Sequence, residues 1–228
     1  MFFLSNLCAH SKHKTSIQLM WLDQFEFAGF YVAKEKGFYK EVGIDVDIKK
    51  YDASINVLNE VLEKRADFGT NSSSLIVDKA NGKNIILLGS IFQSSPLMLL
   101  ALKNSMIRNL QDIKNKKLMI TDEQKDFVSL QSMLISENIS LKDLNTIKHS
   151  FDVDNLINKN TDLMLAYTTN EPYLLKEKGY ESKIFHPKDY GFDFYEEMIF
   201  TTKEFAQNNP DLVKDFYNAA YKRLGVCI

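Results

Sequence analysis

Residues 67–91 read DFGTNSSSLIVDKANGKNIILLGSI, and this stretch decides the fold class. Asp67-Phe68-Gly69 is a short strand, followed by the polar run Thr70-Asn71-Ser72-Ser73-Ser74. The serines suit a helix start, and Gly82 suits its end. Ile85 to Ile91 is then a largely apolar run, the pattern of a strand buried on both faces. Strand, helix and strand in so few residues predict a βαβ unit and a parallel sheet.

The same alternation extends outward in both directions. Toward the N-terminus, Ile17, Leu19 and Trp21 alternate as a strand, and Phe27 to Lys36 reads as a helix stopped by Gly37. Ile44, Val46 and Ile48 alternate again, and Ser54 is placed to cap a helix carrying Ile55, Leu58 and Leu62. After Pro96 the pattern restarts. Leu97 to Leu102, Lys117 to Ile120, Asp162 to Tyr167 and Met198 to Thr201 read as strands. Phe127 to Ile135 and Glu171 to Lys178 read as helices, and Asn209-Pro210 starts a last helix running toward Arg223. The prediction is an α/β architecture with largely parallel sheets, without internal repeat or low-complexity linker.

Composition narrows the function classes. The chain has 228 residues, 45% hydrophobic and 25% charged, with a net charge of −2, so it carries no electrostatic footprint for nucleic acid. Its two cysteines, Cys8 and Cys227, lie near opposite ends and give neither a disulfide framework nor a metal-binding spacing. His10, His13, His149 and His186 form no metal motif, and no apolar run approaches the roughly 18 residues that span a bilayer. Phe2 to Ala9 is similar to the tail of a secretory signal but lacks its basic start. Residues 1–16 are therefore read as either a signal remnant or a disordered N-terminus.

Ligands of doubly wound sheets bind beyond the carboxyl ends of the strands, so the residues there are the site candidates. They are Asp23, Gln24, Phe25 and Phe27; Thr70 to Ser74; Phe92 to Ser95; Thr121 and Asp122; and Thr168 to Glu171. In TNSSS, Ser72 or Ser73 is an N-cap, or the helix start offers backbone donors to a ligand, or both. Glu171 either complements a helix dipole or accepts two hydrogen bonds from an amidine-like ligand edge such as an aminopyrimidine's. Phe27, Phe30 and Tyr31 have the spacing of a core face. Trp21 and Phe25 precede that helix and suit a stacking wall. Tyr190, Phe192, Phe194 and Tyr195 form a second aromatic cluster, either an opposite wall or packing. Nucleophilic catalysis has no motif here, and His149, in a polar segment, reads as a surface residue.

The blocks WLDQFEFAGFYVAKEKGFYKEVGIDVDI, ADFGTNSSSLIVDKANGKNIILLGSIFQSSPLMLLAL, AYTTNEPYLL and DYGFDFYEEMIFTT resemble the NMT1/THI5-like (SsuA/THI5-like) substrate-binding proteins of ABC transporters. The resemblance runs from about Ile17 to Tyr221. It implies a type 2 periplasmic-binding-protein fold, two α/β lobes joined by two crossovers with a cleft between them. Residues 17–95 with 195–228 would form lobe I, and residues 96–194 lobe II. The family's last helix usually continues further than FYNAAYKRLGVCI, so the resemblance also implies a lobe I that is short at its C-terminus.

What the resemblance implies is an extracytoplasmic, periplasmic solute-binding protein without cofactor or catalysis, touching the membrane only through a partner. The ligand expected is a thiamine-precursor aminopyrimidine. Trp21, Phe25 or Tyr190 would stack on it, and Gln24, Ser72, Ser73, Gln93, Thr121, Asn170 and Glu171 would supply polar contacts. The partner would be an ABC permease or, as the alternative, a fused signalling module of a histidine kinase or diguanylate cyclase receptor. An alkanesulfonate is the rival ligand. A eukaryotic branch is an enzyme that consumes its own histidine with pyridoxal phosphate, but its CCCFC motif is absent here and no histidine lies between His13 and His149.

Overall fold

The computed structural model describes residues 13–224, so the reading of the first residues as a signal remnant lies outside the described residues, apart from the start of the first strand. Along the chain come β1 (His13–Gln18), α1 (Ala28–Glu35), α2 (Phe38–Glu41), β2 (Ile44–Lys49), α3 (Val57–Leu62) and β3 (Phe68–Asn71). Then follow α4 (Leu75–Ala80), β4 (Ile85–Phe92), β5 (Leu97–Leu102), β6 (Lys117–Ile120), α5 (Val128–Ser136) and β7 (Asn145–Lys148). The remainder is α6 (Asp154–Ile157), β8 (Leu163–Tyr167), α7 (Glu171–Glu177), β9 (Ser182–Phe185), β10 (Glu196–Thr202), α8 (Lys203–Asn208) and α9 (Pro210–Leu224).

The chain divides into two units. The first holds the described residues up to Asn71, then Lys79–Ile91, then those from Met198 onward. The second holds Ser72–Asp78 and Phe92–Glu197. Each is built on a five-stranded sheet, ordered β2-β1-β3-β10-β4 in the first and β7-β6-β8-β5-β9 in the second. Strands β1, β2 and β3 run parallel, as do β6, β7 and β8. One antiparallel strand is inserted into each sheet at the same place, β10 beside β3 and β5 beside β8. The sheets are therefore mixed rather than largely parallel, because the strands that enter from the other unit run against their neighbours.

In the first unit, helix α9 lays Phe216 on the sheet. Its ring stacks on Phe68 at 4.0 Å, with Tyr39 and Phe30 at 5.6 and 6.5 Å. Gly69 exists for packing: a Cβ there would stand 2.7 Å from the Phe200 ring. The second unit packs Met98, Leu100, Met119, Met164 and Leu175 into a buried apolar cluster. Phe27 and Phe30 are buried as their spacing predicts, while Tyr31 is half-buried and turns its hydroxyl to Asp23. Gly37 adopts φ 79° just after α1, the left-handed turn that glycine makes without steric cost.

Four expectations are corrected. Strand β1 starts at His13 and ends at Gln18, so Leu19 to Trp21 are a buried strand exit rather than strand. Asn56, not Ser54, caps α3, accepting the Asn59 amide at 3.0 Å, while Ser54 bonds back to Asp52. Strand β4 is an edge strand and is half-buried after Ile85, so its apolar run does not mean cover on both faces. His149 is buried, not a surface residue. Its Nε2 meets the Leu165 carbonyl at 2.9 Å, its Nδ1 accepts the Phe151 amide, and burial lowers its pKa.

Candidate functional site

In the first unit the candidates sit at the exit of β1. The Met20 amide donates to Thr70 Oγ1 at 3.0 Å, which ties this exit to the end of β3. Trp21 is only 2% exposed, and its ring lies 5.5 Å from that of Tyr51. The buried tryptophan thus pairs with a half-buried tyrosine, and the sequence reading did not single out Tyr51. Phe25, on the one-turn helix Phe25–Phe27, is 72% exposed. Gln24 beside it is half-buried, with its amide oxygen enclosed and unbonded among the described residues. Asp23 accepts the Tyr31 hydroxyl and lies 2.9 Å from Lys50 Nζ, and these contacts hold its carboxyl below the usual range. Burial first, and then Asp23, push the Tyr31 hydroxyl up to about 12.

In the second unit the strand ends are joined by hydrogen bonds. Ser74 Oγ donates to the Asp126 carbonyl at 3.1 Å and accepts the Val128 amide at 2.9 Å, which ties the serine run to the start of α5. Thr121 and Gln124 cap one another reciprocally: Gln124 Oε1 accepts the Thr121 amide and Thr121 Oγ1 accepts the Gln124 amide. Ser73 Oγ, Gln124 Nε2 and Ser129 Oγ are buried and have no hydrogen-bond partner among the described residues. Ser72 Oγ accepts the Ser74 amide.

Glu171 is 6% exposed, and both its oxygens are engaged locally. Oε2 accepts the Tyr167 amide and Oε1 the Asn170 side-chain amide, both at 2.9 Å. The carboxylate therefore fixes the β8–α7 turn and orients Asn170, which is half-buried. Tyr190 is half-buried, and burial raises its pKa. Gln93 lies on an exposed linker. The structure thus joins Ser72–Ser74 to the Thr121–Ser129 segment, and Asn170 to Glu171.

Sequence reasoning missed two residues at the centre of this network, Glu196 and Glu197. Both are fully buried at the head of β10. Glu196 Oε1 accepts the Ser73 amide at 3.2 Å, and Oε2 accepts the Ser95 hydroxyl at 3.1 Å. Tyr167 Oη lies 3.5 Å from Glu197 Oε1. The signal available in the sequence was a pair of carboxylates opening an otherwise apolar strand, EEMIFTT.

This fold has known relatives. The family profile described as NMT1/THI5 like matches residues 24–227. The chain belongs to that family. It is 25% identical over 205 residues to a protein of Haemophilus influenzae named for thiamine biosynthesis, covering 87% of this chain and 64% of that one. It is 22% identical over 221 residues to riboflavin-binding protein RibY of Chloroflexus aurantiacus, covering 92% and 61%. The chain thus spans less than two thirds of the length of these curated relatives. The periplasmic aliphatic sulphonate binding protein SsuA of Escherichia coli superposes with a TM-score of 0.66 at 14% identity, over 94% of this chain and 75% of that one. The fold is that of type 2 periplasmic binding proteins, as the resemblance implied. No helix among the described residues is long and apolar enough to cross a membrane.

Proposed function

We propose that the chain is the solute-capturing component of an ABC importer, working outside the cytoplasm, and that its solute is a small polar heteroaromatic of the aminopyrimidine type. The observation that carries this reading is Phe25. It presents a ring that is 72% exposed at a strand exit, next to the enclosed amide oxygen of Gln24. An exposed ring at a strand exit offers a flat face on which a heteroaromatic can stack. In the first unit Gln24 would meet a ring nitrogen or amino group beside Phe25; in the second, Asn170, Ser72 and Thr121 are the polar candidates and Tyr190 the aromatic one. Glu171 would act through Asn170, whose amide it holds. The names of the two curated relatives support the class, since thiamine and riboflavin both contain a nitrogen heteroaromatic ring. Binding does no chemistry. It shifts a conformational equilibrium that a membrane permease reads.

A second reading has its own observation. The buried and unbonded Ser73 Oγ, Gln124 Nε2 and Ser129 Oγ can all donate, which suits an oxyanion such as an alkanesulfonate. Thermal shift and calorimetry with 4-amino-5-hydroxymethyl-2-methylpyrimidine, thiamine and taurine separate the two. Stabilisation by the pyrimidine, lost in Phe25→Ala, supports the first reading. Stabilisation by taurine alone, unchanged in Phe25→Ala and lost in Gln124→Ala, replaces it with the second.

A further inference from the structure

The chain passes between its two units at Asn71–Ser72, Asp78–Lys79, Ile91–Phe92 and Glu197–Met198. Three of these passages lie within a few residues of one side chain. We propose that the Glu196 carboxyl is a positioning group for solute capture, a proton-operated pin that holds Ser73 and Ser95 to the head of β10 and so governs the chain's freedom at these three passages. The capture step rests on the solute-binding reading; the pin itself does not.

The geometry is specific. One oxygen accepts the backbone amide of Ser73, two residues beyond the first passage. The other accepts the hydroxyl of Ser95, four residues beyond the third passage, and Ser95 Oγ in turn accepts the Leu97 amide that opens β5. Glu196 itself is one residue from the last passage. The next residue, Glu197, has φ 55° inside a strand, a left-handed conformation that is strained for a residue with a side chain. A kink of this kind persists only where its surroundings hold it.

The donors around Glu196 are the Ser73 and Ser95 groups and the Glu197 backbone amide. All three point hydrogens at the carboxyl, which suits the ionised form. Burial acts the other way and raises the Glu196 pKa to about 7, so the group changes charge in the neutral range. When it is protonated it must donate, and Ser95 must turn its own hydrogen away. The grip is therefore firmest above neutrality and loosens below it.

The other titratable groups near this network are Glu197 on the same strand, Tyr167 from β8 with Glu171 on its amide, and His186, Lys188, Asp189 and Asp193 from the segment before β10. Asp193 accepts the Ser94 hydroxyl at 2.7 Å. The His186 ring bonds the Ser95 backbone, its Nδ1 accepts the Lys188 amide, and burial lowers its pKa.

The test uses the full chain. Amide hydrogen exchange at Ser73 and Leu97, corrected for the intrinsic rate, is measured from about pH 6 to pH 8 without ligand. Protection in the wild type is expected to rise about fivefold, roughly the worth of one hydrogen bond, and Glu196→Gln is expected to stay at the low-pH value. Equal profiles in both proteins, or a profile abolished by His186→Gln instead, would overturn the pin. Ser95→Ala keeps the carboxyl in place and removes one donor, so the Glu196 carboxyl, followed by carbon NMR, should titrate at a higher pH. An unmoved midpoint also overturns it. Calorimetry with 4-amino-5-hydroxymethyl-2-methylpyrimidine at both pH values reads the capture step. The wild type should change affinity more than Glu196→Gln, the ligand's own titration being common to both, and equal changes would sever the pin from capture. If that pyrimidine does not bind, the ligand assignment fails while the exchange and titration still decide the pin.

Discussion

Strands β5 and β10 occupy the same position in their respective sheets, each an antiparallel insertion between the third parallel strand and the far edge strand. Both are buried along their whole length. Yet β5 reads LMLLAL and β10 reads EEMIFTT. If burial were their shared task, both would be apolar, because a carboxyl taken from water costs several kcal/mol unless it is hydrogen-bonded. The difference shows that the head of β10 is tied to other segments by hydrogen bonds, while β5 is held by packing.

The largest expected effect tests what the two strands have in common. Phe200→Ala in β10 and Leu100→Ala in β5 each remove a fully buried side chain and should cost about 3–5 and 2–5 kcal/mol in urea unfolding. A loss confined to one of them would mean that the strands are not equivalent as core. The next effect separates them, and its sign follows from linkage. Burial raises the Glu196 pKa from 4.5 to about 7, so the folded state keeps a proton that the unfolded chain has lost. The stabilisation is full below about pH 4.5, declines as pH rises to about 7, and is flat above that. Glu196→Gln should remove this slope, and no substitution in β5 should touch it. A slope that survives in Glu196→Gln assigns it to another group.

A smaller effect probes the donors. Ser95→Ala leaves Glu196 one donor short and should cost about 1 kcal/mol near pH 8, less near pH 6. Equal costs at both values would mean that the hydroxyl serves both forms alike. The smallest effect lies far from either strand. Lys50→Ala breaks an exposed pair with Asp23 and should change stability by under about 1 kcal/mol, while raising the Asp23 pKa in an NMR titration. A larger loss would mean that the β1 exit depends on this pair.

Much of the fold could be read from particular residues. Gly37 and Gly179 end their helices in left-handed conformations, and Asn209-Pro210 starts α9, with the Asn209 carbonyl accepting the Val213 amide. What failed did so where neighbours decide. Ser54 and Asn56 are both cap residues by type, but Ser54 is held by Asp52, and Asn56 directly precedes the apolar turn Val57-Leu58. The apolar run of β4 suggests burial on two faces, whereas its place at a sheet edge leaves it half-covered. For the candidate site, the sequence pointed to the strand ends. They could not show that Glu171 is engaged by its own turn, nor that Trp21 packs on Tyr51 while Phe25 faces out.

The alternation of elements, the α/β class and the family are legible along the chain, because they rest on periodicity, turn chemistry and motifs that are local in it. The tertiary structure alone decided which carboxyl is buried and what it holds. Glu196 meets Ser73 across 123 residues and Ser95 across 101. Desolvation and hydrogen bonding are set by whatever surrounds a group in space, and a glutamate in a strand pattern carries no local mark of either.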